Sequence, residues 1–223
     1  MASKAHRVTK GLVGGCALLL GVTLAGCAAP QFTYVANANS GANSSTYFKV
    51  PYGWHKIDDS QLDNELKKAT GGSAGGWTTA YEAGHKPTAD DFLSFGAAQP
   101  FVFAEVGQLS STASNELSYD SLRDFFLPVT STARQNDSAQ GFPLTDFKQL
   151  RDQTLSLGQG VHGVRETFDY TFSGGTDTFD EDVLTNADQT VVYLLVLHCT
   201  TKCYSSDQSE INDVMSSFTI RSS

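Results

Sequence analysis

Cys199-Thr-Thr-Lys-Cys203 sets two thiols four residues apart, and three chemistries use such a pair: a disulfide, a dithiol redox couple, or half of a zinc site. Redox motifs place two residues between their cysteines, and here there are three. Zinc would need two further ligands, and no His or Cys pair stands near in sequence at ligand spacing. Gly71-Gly72-Ser73-Ala74-Gly75 fits Gly-x-Ser-x-Gly, in which a strained strand-to-helix turn exposes the serine hydroxyl as a nucleophile. Here a helix is expected before the motif and a strand after it, the reverse context, so Ser73 reads as part of a glycine-rich loop.

The histidines are His6, His55, His85, His162 and His198, with none of the close pairings of metal motifs. His162 and His198 could be neighbours on adjacent strands, but each is expected to be a packed or surface residue. Asp177, Asp180, Glu181 and Asp182 offer the carboxylates that calcium prefers. Their spacing lacks the EF-hand pattern, so they read as a solvated acidic strand start that discourages edge-to-edge aggregation. Trp54, Trp77, Tyr81 and Phe95 could line an apolar groove, although aromatics at strand positions are usually core. No catalytic residue, metal site or cofactor is expected.

The cysteine question is decided by compartment. Residues 1–10 carry Lys4, Arg7 and Lys10, and Gly11 to Ala25 is uncharged and mostly apolar. Fifteen residues at helical rise reach roughly 22 Å, short of a hydrocarbon core of about 30 Å, so the segment reads as an export signal rather than a span. Leu24-Ala25-Gly26-Cys27 resembles the lipobox of bacterial lipoproteins. That resemblance implies diacylglycerol on the Cys27 thiol and cleavage just before it. Two acyl chains hold a protein stably where one does not. Cys16 is lost with the signal, Cys27 takes lipid, and Cys199 with Cys203 is expected as a disulfide in an oxidising space.

Composition narrows the partners. Hydrophobic residues make up 40% of 223, including 14 Phe and 8 Tyr, enough to fill a core. The formal charge is −9, and loss of residues 1–26, with three cations and no acid, makes it −12. Such a surface repels phosphate backbones, so nucleic acid is not an expected partner. Anionic headgroups are repelled too, and membrane residence must come from the lipid.

The elements that position these residues follow from periodicity. Residues 1–26 are the signal, 27–46 a lipid anchor and mostly small, polar tether in which Phe32, Tyr34 and Val35 could dock on the domain, and 47–223 a single domain. As a flexible coil the tether would hold the domain about 25 Å from the bilayer. Tyr47–Pro51 is a short strand, and a helix over 60–69 follows Asp58 or Asp59. Trp77–Ala83 and Pro100–Gln108 suit strands, 89–95 a helical turn, and Tyr119–Leu127 a helix ended by Pro128. Residues 129–143 look like a loop. Thr154–Leu157, Gly163–Phe172, Thr178–Leu184 and Thr190–His198 are strands, the last two joined at Asn186-Ala187-Asp188. Val191 to Leu197 is an unbroken apolar run, as in a strand buried on both faces. Asp207 with Glu210 opens a final helix bearing Ile211, Val214, Met215 and Phe218 on one face. Consecutive strands with short links favour an antiparallel sheet flanked by α-helices, an α+β domain.

Tyr47-Phe48-Lys49-Val50-Pro51-Tyr52-Gly53-Trp54, the long C-terminal hairpin, and the closing helix after a buried strand together resemble the PsbP-like fold, as found in actinobacterial lipoproteins. The resemblance spans about residues 47–222. It implies an antiparallel sheet sandwiched by helices and a binding or assembly role, and the family has no shared catalytic residues. The expected function is therefore a non-enzymatic binding or accessory role toward an envelope protein, on the extracytoplasmic face of the cell membrane. A carrier or sensor of a small apolar ligand is the alternative, and a serine hydrolase on Ser73 a distant one. An internal apolar pocket would favour the carrier. A filled core with an exposed aromatic patch would favour the binder.

Overall fold

A computed structural model describes residues 31–37, 44–70, 76–84, 87, 95–141 and 144–222. The chain is an α+β protein built on a seven-stranded, wholly antiparallel sheet. Its order is β3 (His55–Lys56), β4 (Gly76–Glu82), β5 (Phe101–Gln108), β9 (Val191–Thr200), β8 (Gly175–Thr185), β7 (Val161–Phe172) and β6 (Thr145–Gly158). A second, three-stranded sheet has the order β1 (Phe32–Asn37), β2 (Ser44–Pro51) and β10 (Thr219–Ser222). Six helices are described: α1 (Asp59–Thr70), α2 (Ser111–Asn115), α3 (Tyr119–Arg123), α4 (Ser131–Ala139), α5 (Thr201–Ser206) and α6 (Gln208–Met215).

Strand alternation divides the large sheet into two apolar faces. Val102, Ala104, Tyr193, Leu195 and Leu197 point to one side. There they pack with Phe48 and Val50 of the small sheet, Trp54, Tyr204, and Ile211, Val214 and Met215 of α6. Phe101, Phe103, Phe168, Phe179, Leu194 and Val196 point to the other, against Leu62 and Leu66 of α1, Leu122 of α3, and Val129. β9 lies between β5 and β8, and nine of its ten residues are buried, as its unbroken apolar run requires.

Cys199 is the penultimate residue of β9 and Cys203 lies in α5, and their sulfurs form a disulfide with the Cα atoms 5.9 Å apart. Thr200 between them caps α5, accepting from the Cys203 amide. The bridge thus fastens a buried strand to the first turn of a helix. A loop this small contributes about 2 kcal/mol by chain entropy. Cys199→Ala with Cys203→Ala should lower the unfolding free energy by that amount in urea, with m unchanged. A loss below about 0.5 kcal/mol would mean that the bridge adds nothing to the fold.

Four expectations are corrected. Ordered chain begins before Tyr47: Phe32–Asn37, assigned to the tether, is β1, because Val35 is buried beside Phe48 and its backbone pairs with β2. The helix from Tyr119 ends at Arg123 rather than Leu127, since the Asp124 carboxylate turns back to accept from the Val129 and Thr130 amides and the Thr130 hydroxyl. Residues 131–139, read as loop, are α4, a polar helix with no buried residue, whose N-terminus is capped by Thr130. Thr154–Leu157 is only the end of β6, whose other residues are largely exposed and show no apolar alternation. The expected turn at 89–95 lies mostly outside the described residues, and no described helix is long and apolar enough to cross a membrane.

Candidate functional site

Pairing register builds two contrasting charge ladders across β6, β7 and β8. On the α6 side Arg165 faces Asp182, Arg151 faces Thr167 and then Asp180, and Lys148 faces Asp169. Each acid here has a cation or hydroxyl. Arg165 clamps Asp182 through Nε, at 2.6 Å, and Nη2, which also donates to the Met215 carbonyl at 3.1 Å. Tyr204 donates to Asp180 at 2.8 Å, and Arg151 approaches it at 4.0 Å. Burial raises the Asp182 and Asp180 carboxyls, and these partners offset part of that.

On the opposite side the register aligns three acids: Asp152, Glu166 and Glu181. Like charges in directly opposed positions are destabilising. Among the described residues one guanidinium approaches Asp152 and Glu166, and none reaches Glu181. Arg123 of α3 donates to Asp152 at 3.0 Å, bonds Asp120 at 3.1 Å and reaches Glu166 only at 3.9 Å. Gln149 donates to Glu166 at 3.3 Å. Glu181 is fully buried, and neither of its oxygens has a hydrogen-bond partner among the described residues. Burial, then the nearby Asp152, pushes Glu166 up to about 7. Burial and then Glu166 push Glu181 well above the usual carboxylate range. Glu166 and Glu181 can hold protons, but both are buried away from any substrate.

Beside it α3 borders two surface hollows. One, of about 250 Å³, is lined by Leu117, Ser118, Tyr119, Leu122, His162 and Gln189. Tyr119 is 44% exposed at its mouth, with its ring edge-on to His162, centroids 6.1 Å apart. Nδ1–H of His162 donates to the Gly160 carbonyl at 2.8 Å. Gly160 must be glycine: its φ is +79°, and a Cβ would lie 2.4 Å from that of Ala187 in the neighbouring turn. Ser118 caps α3 through a reciprocal bond with Ser121, which fixes the start of the helix that carries Tyr119. The second hollow, of about 570 Å³, is polar, with Asp120, Asp124, Thr130 and Asn136 in its wall.

The residues singled out in the sequence are scattered. Cys27, Ser73 and His85 lie outside the described residues. His55 is exposed on β3. His162 and His198 are not neighbours. β8 separates their strands, and the register places them six residues apart along it, about 20 Å. His198 is buried, stacked on Phe179 and 3.4 Å from Asp177. Asp177, Asp180, Glu181 and Asp182 are not a solvated strand start: all four are buried, because β8 is an inner strand covered on both faces. No cluster able to hold a metal ion occurs among the described residues. Trp54, Trp77 and Tyr81 pack on one face and Phe95 on the other, so no single groove gathers them. Sequence reading missed Tyr119 with His162, and Glu166. The only signal for the acidic ladder was its register, which no single strand reveals.

No protein-family model matches the chain, and no curated protein does. Several solved structures are similar. The PsbP of the cyanobacterium Synechocystis (CyanoP) shares 14% identity over 95% of this chain and 100% of its own, with a TM-score of 0.49. LpqN, involved in cell envelope biogenesis of Mycobacterium tuberculosis, shares 12% over 85% of this chain and 91% of its own, with a TM-score of 0.46. The Ran-binding protein Mog1p of Saccharomyces cerevisiae shares 10% over 86% and 96%, with a TM-score of 0.45. The chain is an α+β protein with an antiparallel sheet between helical layers.

Proposed function

We propose that this protein is an exported lipoprotein, anchored through Cys27, whose domain binds an envelope protein through the rim of α3 and performs no catalysis of its own. The observation that carries the binding reading is the Tyr119 hollow. At about 250 Å³ it is smaller than the 300–1,000 Å³ of ordinary small-ligand pockets, and it is a surface cleft rather than an enclosed cavity. Its apolar floor of Leu117 and Leu122 and polar rim of Ser118, His162 and Gln189 suit one anchoring side chain of a protein partner. The lipid reading rests on Leu24-Ala25-Gly26-Cys27 and the basic, apolar segment before it.

A photoreactive phenylalanine at position 119, expressed in the full chain in its native membrane, tests both halves. The expected result is a crosslink to a discrete envelope protein, lost when Leu122→Ala is added, on a chain whose intact mass begins at an acylated Cys27. Crosslinks to lipid or a small molecule alone would favour the carrier. A mature mass lacking the acyl increment removes the anchor.

A further inference from the structure

The small sheet has an inner face, against α6, and an outer one. Val35, Phe48 and Val50 point inward. Alternation sends Phe32, Tyr34, Tyr47, Lys49 and Arg221 outward. Tyr34 is 79% exposed, and Tyr52, in the turn after β2, is 73% exposed. The Lys49 ammonium lies over the Phe32 ring at 4.1 Å, and the Arg221 guanidinium over Tyr47 at 5.3 Å. β1, β2 and β10 contain no Asp or Glu, in a chain that has 24. Lys49 approaches one acid at the edge of this face, Asp213 of α6, at 3.9 Å. Tyrosines with polar tips among long cations are the composition that settles at a bilayer's headgroup layer.

Chain length says what this face meets. Cys27 precedes Phe32 by five residues, a reach of at most about 18 Å when fully extended. Tyr52 is bonded to the same end of the sheet, its amide donating to the Gln31 carbonyl at 2.8 Å. A domain of this size is about 40 Å across. A tether shorter than the domain cannot let it turn freely, and it keeps the root of β1 beside the lipid.

We propose that the outer face of the β1–β2–β10 sheet is a membrane-docking surface that lies on an anionic headgroup layer once Cys27 is acylated. This rests on the anchor reading above. The rest of the acidic domain is turned away from the bilayer by the same contact. Because the acyl chains already hold the domain at the surface, weak contacts suffice: they choose an orientation, not an association.

The test is hydroxyl-radical footprinting of the full chain, purified from membranes and reconstituted by its own anchor into phosphatidylcholine vesicles with phosphatidylglycerol. Tyr34 and Tyr52 should label at least threefold more slowly than in the same vesicles carrying the Arg221→Glu protein. Tyr119, on the opposite side of the large sheet, should label equally in both. Arg221 is exposed, and equal labelling of Tyr34 and Tyr52 in the two proteins in detergent verifies that its replacement leaves the small sheet intact. Equal labelling of Tyr34 and Tyr52 in the two proteins, with the acyl mass present, overturns docking and leaves the anchor standing. Absence of the acyl mass overturns both. Slow labelling in native membranes but not in pure lipid assigns the face to a protein and also overturns the proposal.

Discussion

Arg165→Ala should lower the unfolding free energy by about 3–5 kcal/mol at pH 7, the usual consequence of leaving a buried charge without its counterion. The guanidinium holds both oxygens of Asp182, a residue 2% exposed, and donates to the Met215 carbonyl at the end of α6. One side chain therefore satisfies a buried carboxylate and a helix terminus together. Lysine will not substitute, because an ammonium cannot reproduce the planar fork. The loss should shrink as the pH falls and Asp182 takes up a proton, because burial already raises its carboxyl above the usual range. Replacing both partners, as Arg165→Met with Asp182→Leu, should recover most of it, since the loss comes from the orphaned acid more than from the missing attraction. Urea denaturation of the single and double variants decides the matter, and a loss under 1 kcal/mol for Arg165→Ala would show that Asp182 finds another partner.

The second large effect has the opposite sign. Glu166 is fully buried, and its carboxyl is pushed up to about 7, from about 4.5 in an unfolded chain. Below pH 4.5 both states hold the proton and the group is neutral to stability. Between 4.5 and about 7 the unfolded chain releases its proton while the folded one keeps it, so stability falls as pH rises. Above about 7 the full penalty is in place, roughly 3 kcal/mol for this displacement. Glu166→Gln keeps the acceptor for Gln149 and removes the titration. The variant should match the parent at pH 4 and exceed it by roughly 3 kcal/mol at pH 8. Glu181 is displaced in the same direction by burial, so a residual slope should survive in Glu166→Gln and diminish further with Glu181→Gln. Parallel pH profiles for the parent and Glu166→Gln would show that Arg123 and Gln149 already hold Glu166 ionised.

Where burial alone decides structure, the chain is easy to read. Val191 to Leu197 has no polar residue to expose, and it forms the inner strand β9. Ile211, Val214 and Met215 recur at helical spacing and are all buried in α6. Where burial is decided by neighbours, the reading fails. Thr-Asp-Thr-Phe-Asp-Glu-Asp in β8 looks solvated, because nothing in that segment reveals Arg165, Tyr204 or His198, each supplied by another element. The polar helix α4 buries nothing, so periodicity cannot find it, and its signals are the Thr130 cap and the Asp124 turn before it. The Tyr119 hollow joins a helix to the start of β7 and to a turn, some forty and seventy residues later in the chain, a juxtaposition that only pairing register produces.

The small sheet also fixes an order of events. Its middle strand, Ser44–Pro51, bonds on one side to Phe32–Asn37 and on the other to Thr219–Ser222, some 170 residues away. Closing so long a loop is entropically slow, so this pairing should come late in folding, after the central hairpins have formed. A polypeptide emerging N-terminus first cannot complete the sheet until β10 is free. The outer surface of this sheet, with Tyr34 and Lys49 on β1 and β2, is therefore complete only once β10 has paired.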